Sequence, residues 1–323
     1  MKERILSSGY VQEELDPTTD WVAEIQRLKA EKNAVILAHY YQDSEIQDLA
    51  DHVGDSLALA QAAAHTPADL IVFAGVHFMA ETAKILNPHK KVVLPDLNAG
   101  CSLSDSCPPD VFAKFKAKYP EHKVIMYINC SAELKAMSDV IVTSSNAEKI
   151  VNSFPPNQPI IFGPDKNLGA YLNKKLGRNM LLWNGSCMVH EIFELKKIVA
   201  LKAQYPDAKL IAHPECMEAI LNEADFIGST SALLKFTQTD TATSYIVATE
   251  GGIIHQMKKL SPTKQFIMAA TQNTCACNNC PHMKLNTLEK LYLCIKHELP
   301  EIEMEESILL RARTAIDRML LLS

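Results

Sequence analysis

Between Thr271 and Thr287 the chain places Cys275, Cys277 and Cys280 within six positions, and Pro281 follows the last of them. Three thiols this close are not all buried as passive small hydrophobes, the usual fate of a free cysteine. A thiolate followed at once by proline is a common end to an iron–sulfur ligand run. The chemistry here is therefore a cluster, a zinc site or a thiol–disulfide switch. Cys101 and Cys187 stand apart, in the turns Asn98-Ala99-Gly100-Cys101 and Asn184-Gly185-Ser186-Cys187. Cys130, Cys216 and Cys294 lie in apolar or helical patterns and read as packed thiols, while Cys107 fits either class.

Other residues suit proton transfer and anion binding. His39-Tyr40-Tyr41 and His213-Pro214-Glu215 supply acid and base groups. A histidine titrates near neutrality, and burial tunes a neighbouring glutamate. Tyr127 and Asn129, at i and i+2, point the same way and suit a polar substrate. Ser56, Ser144 and Thr230 each open a helical pattern. Each reads as an N-cap, or as a hydroxyl at a helix end that binds phosphate or carboxylate. Phe162 to Gly169 is a turn rich in chain breakers.

An internal repeat positions these residues. The apolar runs Ala34–Ala38, Lys123–Ile128 and Lys209–Ala212 deliver, in turn, His39, then Tyr127 and Asn129, then His213 and Glu215. Seventeen residues separate His39 from Ser56, Tyr127 from Ser144, and His213 from Thr230. Asp51, Asp139 and Asp225 each precede the hydroxyl by five. Two more strand patterns follow in each repeat, and a cysteine follows the last. The expected fold is α/β: three pseudo-threefold-related αβα units, each with a small, mostly parallel four-stranded sheet, around a central site. The expected units are 1–108 with the C-terminal helices of 296–323, then 109–190, then 191–295. Residues 1–20 read as a loose arm, and the helical tail from Asn286 docks on one unit. Ligands of such sheets bind beyond the carboxyl ends of the strands, where every singled-out residue falls.

One cysteine per unit makes three thiolates. Structural zinc wants four closed ligands, whereas three on a four-iron cube leave one iron open as a Lewis acid. In the last group Cys280, stiffened by Pro281, is the expected ligand; Cys275 and Cys277 are dispensable. A net charge of −6 gives no basic footprint for nucleic acid. No apolar run approaches the ~18 residues of a membrane span, and the N-terminus lacks a secretory core. A cytoplasmic protein is expected, in which nine cysteines mean metal or catalysis rather than a disulfide framework.

The stretches HYYQDSEIQDLADHVGDS, DLNAGCSLSDSCP, YINCSAELKA, FGPDKNLG, WNGSCMVHE, HPEC, GST, ATEGG and CNNCPHMKLNTL resemble those of the quinolinate synthase family, over most of the chain. The resemblance implies three αβα units around one [4Fe–4S] cluster per chain, held by Cys101, Cys187 and Cys280. It places substrate residues at His39, Tyr41, Ser56, Tyr127, Asn129, Ser144, His213, Glu215 and Thr230, with catalysis by His213 and Glu215 together with Tyr127 or Tyr41. The implied reaction condenses iminoaspartate with dihydroxyacetone phosphate into quinolinate in NAD biosynthesis. An L-aspartate-oxidising enzyme is the implied partner. Some members carry C-x2-C-x2-C where this chain has Cys275-x-Cys277-x2-Cys280, so a thiol–disulfide switch is not expected here. Two rival readings remain: a non-catalytic iron–sulfur or zinc redox sensor, which needs no His213/Glu215 set, and a small-anion binding protein, which needs no cluster.

Overall fold

The short apolar runs bounded by breakers become strands, and the amphipathic stretches between them become helices. The structure, a computed structural model, describes residues 7–272 and 278–323. The first unit contains β1 (Ala34–His39), β2 (His52–Gly54), β3 (Leu70–Ala74) and β4 (Lys91–Val93). The second contains β5 (Lys123–Tyr127), β6 (Val140–Val142), β7 (Ile160–Gly163) and β8 (Leu181–Leu182). The third contains β9 (Lys209–Ala212), β10 (Phe226–Ile227), β11 (Ser244–Ala248) and β12 (Gln265–Met268). The sheets share one order, β2-β1-β3-β4, β6-β5-β7-β8 and β10-β9-β11-β12. Every pairing between named strands is parallel. The first strand of each unit is therefore internal. Its near-continuous apolar run is what a strand covered on both faces requires.

The repeated aspartate sets the register. Asp51, Asp139 and Asp225 each accept a hydrogen bond from a first-strand N–H fifteen residues back, from Ile36 (2.8 Å), Val124 (2.8 Å) and Leu210 (2.7 Å). Each also returns its own N–H to the carbonyl of that same residue, at 3.0, 2.9 and 2.7 Å respectively. The acidic side chain thus starts the second strand in one alignment, which brings the next hydroxyl to the same end of each sheet.

The N-terminal segment is docked where a loose arm was expected. Val11 is buried against Leu293, the Gly9 carbonyl accepts from Leu97 N–H at 2.7 Å, and Glu13 pairs with Lys296 and His297. A polar composition hid two anchors, one apolar and one charged. The tail forms helices Leu288–His297 and Glu306–Leu322. The first packs on helix Trp21–Glu31 and β3. The second lies chiefly on helix Ala132–Ala136 and β6 and also touches helix His77–Leu86, so the tail spans two units rather than one. Its buried stripe, Ala312, Ala315, Ile316 and Met319, is small enough to enter that seam. Among the described residues no helix is long and apolar enough to cross a membrane.

Candidate active site

The carboxyl ends of the three sheets surround one cavity. The first unit contributes His39, Tyr41, Ser56 and Cys101; the second, Tyr127, Asn129, Ser144 and Cys187; the third, His213, Glu215, Thr230 and Cys280. All twelve residues singled out in the sequence line this one space. Cys130, Cys216 and Cys294 are buried in the core, and so is Cys107. Cys275 and Cys277 lie outside the described residues.

The hydroxyls are not caps. The N-caps are Asp55, which accepts from Ala58 N–H, and Ser229, which accepts from Ala232 N–H. Ser56 and Thr230 are the first helical residues, so their side chains are free to face the cavity. Ser144 precedes helix Ala147–Asn152, whose N-cap is Asn146. The caps knit the units together: Ser145 Oγ lies 2.8 Å from both Asp55 Oδ2 and Ser229 Oγ.

His39 and His213 are held alike. The Nδ1 of each accepts the backbone N–H two residues on, Tyr41 at 3.2 Å and Glu215 at 3.4 Å. That leaves the proton on Nε2. For His213 this nitrogen meets Ser144 Oγ, 3.2 Å away across the unit boundary. Burial pushes His39 down to about 4 and His213 down to about 3, against the pull of the Asp55 and Glu215 carboxylates. Both imidazoles are thus neutral donors at neutral pH.

Glu215 is the centre of the polar network. Its Oε1 accepts from Tyr127 Oη at 2.6 Å, and its Oε2 lies 3.0 Å from His190 Nδ1. Burial raises this carboxyl, but His190, His213 and the Tyr127 hydroxyl outweigh burial and hold it below the usual range. Burial and the same carboxylate push the Tyr127 phenol well above its ordinary value. Asn129 lines the cavity, and its buried Oδ1 has no hydrogen-bond partner among the described residues. The breaker-rich turn is structural: Asp165, fully buried, caps helix Lys166–Leu176 through Leu168 N–H at 2.7 Å.

Each cavity cysteine sits where backbone N–H groups face its sulfur: Ser104 and Leu103 at Cys101, Val189 at Cys187, Met283 and His282 at Cys280. Such donors favour a thiolate or a thiolate-bound metal. Without one, burial keeps all three as thiols, with Cys101 pushed up to about 12. Cys187, His190 and Glu215 also bring ligand atoms within 4.8 Å of one another. Two acidic or tight contacts hold the cysteine loops. Buried Glu250 accepts from Cys280 N–H at 3.0 Å and from Gly252 N–H at 2.6 Å. Gly185 approaches so closely that a Cβ would stand 2.2 Å from Ser106 Oγ and 2.6 Å from the Pro164 carbonyl. Gly185→Ala should therefore cost about 1–3 kcal/mol through overpacking, read as a lower melting temperature; an unchanged value would show that the loop yields freely.

His190, Thr249, Asp55 and Glu250 escaped the sequence reading. His190 had a signal, three residues after Cys187, and Glu250 stood in Ala-Thr-Glu-Gly-Gly. Thr249 stood in the same stretch and Asp55 directly before Ser56, but their contacts to Tyr41, His190 and Ser145 come from distant parts of the chain.

Fold and cavity together define an α/β enzyme of three repeated units that share one polar, cysteine-lined site. The family model described as Quinolinate synthetase A protein matches residues 23–321. Proteins named quinolinate synthase from Microcystis aeruginosa (62% identical; 94% of this chain, 95% of the relative), Thermosynechococcus vestitus (63%; 94% and 96%) and Nostoc sp. (64%; 94% and 94%) are similar along nearly their whole length. The chain belongs to the quinolinate synthase family.

Proposed function

We propose that the protein condenses iminoaspartate with dihydroxyacetone phosphate, releasing phosphate and two waters, to form quinolinate for NAD biosynthesis. The observation that carries this reading is the cavity wall: four residues from each unit, combining anion-binding hydroxyls, neutral imidazoles, a carboxylate and three thiols. A redox sensor has no use for the first three sets, and an anion-binding protein has no use for the thiols. Supply of so reactive an imine points to an L-aspartate-oxidising enzyme as partner, in the same compartment, the cytoplasm.

The donor set suits a [4Fe–4S] cluster on Cys101, Cys187 and Cys280. Each sulfur faces backbone N–H groups, whereas His190 and Glu215 are already engaged with each other, Thr249 and Tyr127. When bound, a cluster with one iron free of protein ligands supplies a Lewis acid for substrate oxygens. The protein residues do the rest. Ser56, Ser144 and Thr230 hold phosphate and carboxylate groups. Ser56 and Thr230 do so at helix starts whose free N–H groups favour anions. His39 and His213 donate from Nε2 to substrate oxygens. Glu215 Oε1, relayed by Tyr127, takes and returns protons, Asn129 orients the substrate, and Tyr41 abuts Thr230.

The direct test is an anaerobic assay of the purified, iron-loaded protein with both substrates. Quinolinate is the expected product, and its absence from brown protein containing about four irons per chain would overturn the reading. Within it, Ser144→Ala and Thr230→Ala should raise KM about tenfold, the worth of a hydrogen bond to a charged group. The visible spectrum should be unchanged. Because Asn146 and Ser229 occupy the N-cap positions, stability should fall by less than the ~1 kcal/mol of a lost cap. An unchanged KM with a lower melting temperature would reduce these hydroxyls to structure.

A further inference from the structure

Thr249, just past the end of β11, is fully buried and lies outside the cavity wall. Its Oγ1 stands 3.0 Å from His190 Nε2 and 2.8 Å from Tyr41 Oη. Across the imidazole, His190 Nδ1 is 3.0 Å from Glu215 Oε2. Beyond the phenol, Tyr41 Oη is 3.1 Å from Thr230 Oγ1. One polar chain therefore runs from Thr230 through Tyr41, Thr249 and His190 to Glu215. It crosses all three units, with Thr249 at its middle.

With a neutral His190 ring, the donors and acceptors in this chain have one consistent arrangement. A carboxylate only accepts. A bare Nδ1 lone pair 3.0 Å from a carboxylate oxygen would be repelled, so Nδ1 carries the proton. The approach is bent rather than straight. Nε2 of the neutral ring then accepts, and Thr249 must spend its single proton there. Thr249 in turn accepts from Tyr41, which leaves Tyr41 Oη only an acceptor toward Thr230 and the cavity. Each hydroxyl has one proton, so the direction of one bond sets the next.

Resting on the quinolinate-forming reading above, we infer that Thr249 is a positioning residue. Its hydroxyl locks this chain in one direction, keeping Tyr41 an acceptor toward Thr230 and the cavity and Glu215 a carboxylate with a basic Oε1. Thr249 does not line the cavity and acts through Tyr41 and His190.

Thr249→Val keeps the side-chain shape and removes the hydroxyl. Its kcat should fall about tenfold or more, with KM within about twofold of the wild type and with unchanged iron content and visible absorption. Thr249→Ser should restore most of the rate. In the double variant with Tyr41→Phe, Thr249→Val should add no further loss, because both break the same chain. An unchanged kcat in the valine variant, or an equal loss in the serine variant, overturns the assignment. Thr249→Ala takes the place of valine in the same comparison if the valine variant does not fold. A wild type that makes no quinolinate would sink the functional reading and not the wiring. The wiring is judged independently by the ¹⁵N-histidine spectrum of the whole chain. There His190 should carry its proton on Nδ1 and lose that preference in Thr249→Val; a wild-type ring protonated on Nε2, alone or together with Nδ1, overturns it.

Discussion

Glu215→Gln should leave fold and iron content intact and cut turnover by about 10²- to 10⁴-fold, the range for a general acid–base group. The amide has the shape of the carboxylate but not its chemistry. Glu215 accepts from Tyr127 Oη at 2.6 Å on one oxygen and faces His190 Nδ1 at 3.0 Å with the other. An amide can accept at only one end and turns N–H against the other donor. The buried Tyr127 or His190 is then left facing a like group, in a site too dry to compensate. The loss should fall in kcat, because the fold, the anion-binding hydroxyls and the thiols are untouched. Single-turnover product formation and iron analysis on the same sample separate these effects. A variant that turns over at the wild-type rate would remove Glu215 from the chemistry and leave His213 or Tyr127 to carry it.

Cys280→Ser should abolish iron binding, whereas Cys275→Ser and Cys277→Ser should retain it. Cys280 lines the cavity with Cys101 and Cys187, and its backbone N–H is tied to buried Glu250 at 3.0 Å. Pro281 and the short 3₁₀ turn Met283–Leu285 stiffen the chain just beyond it. Lys284 binds the Tyr41 carbonyl at 3.0 Å and Asp43 at 3.0 Å, which anchors the same loop to the first unit. A serine there would offer a hard, protonated oxygen in place of a soft thiolate. Iron content and visible absorption of the three variants, prepared without oxygen, decide the matter. A cluster that survives Cys280→Ser but is lost in Cys277→Ser would move the third ligand to Cys277.

Much of this architecture was legible along the chain. A parallel strand buried on both faces must be a short apolar run, and the chain shows such runs in three matching sets. The Asp51, Asp139 and Asp225 repeat marked the register because each carboxylate bonds a fixed fifteen residues back, within its own unit. Local rules therefore determined the three sheets, the strand ends and the twelve residues beyond them. They failed where a choice lay between neighbours: the caps are Asp55 and Ser229 rather than Ser56 and Thr230, a difference of one residue that only backbone geometry resolves. They also failed for the N-terminal arm, whose anchors are hundreds of residues away in sequence. Only the packing of the three units decided which groups meet. Tyr127 reaches Glu215 across 88 residues, His190 reaches Thr249 across 59, and Tyr41 reaches Thr249 across 208. No periodicity encodes those distances. They follow from three similar units closing around one axis, where burial strengthens each polar contact and makes each unpaired group costly.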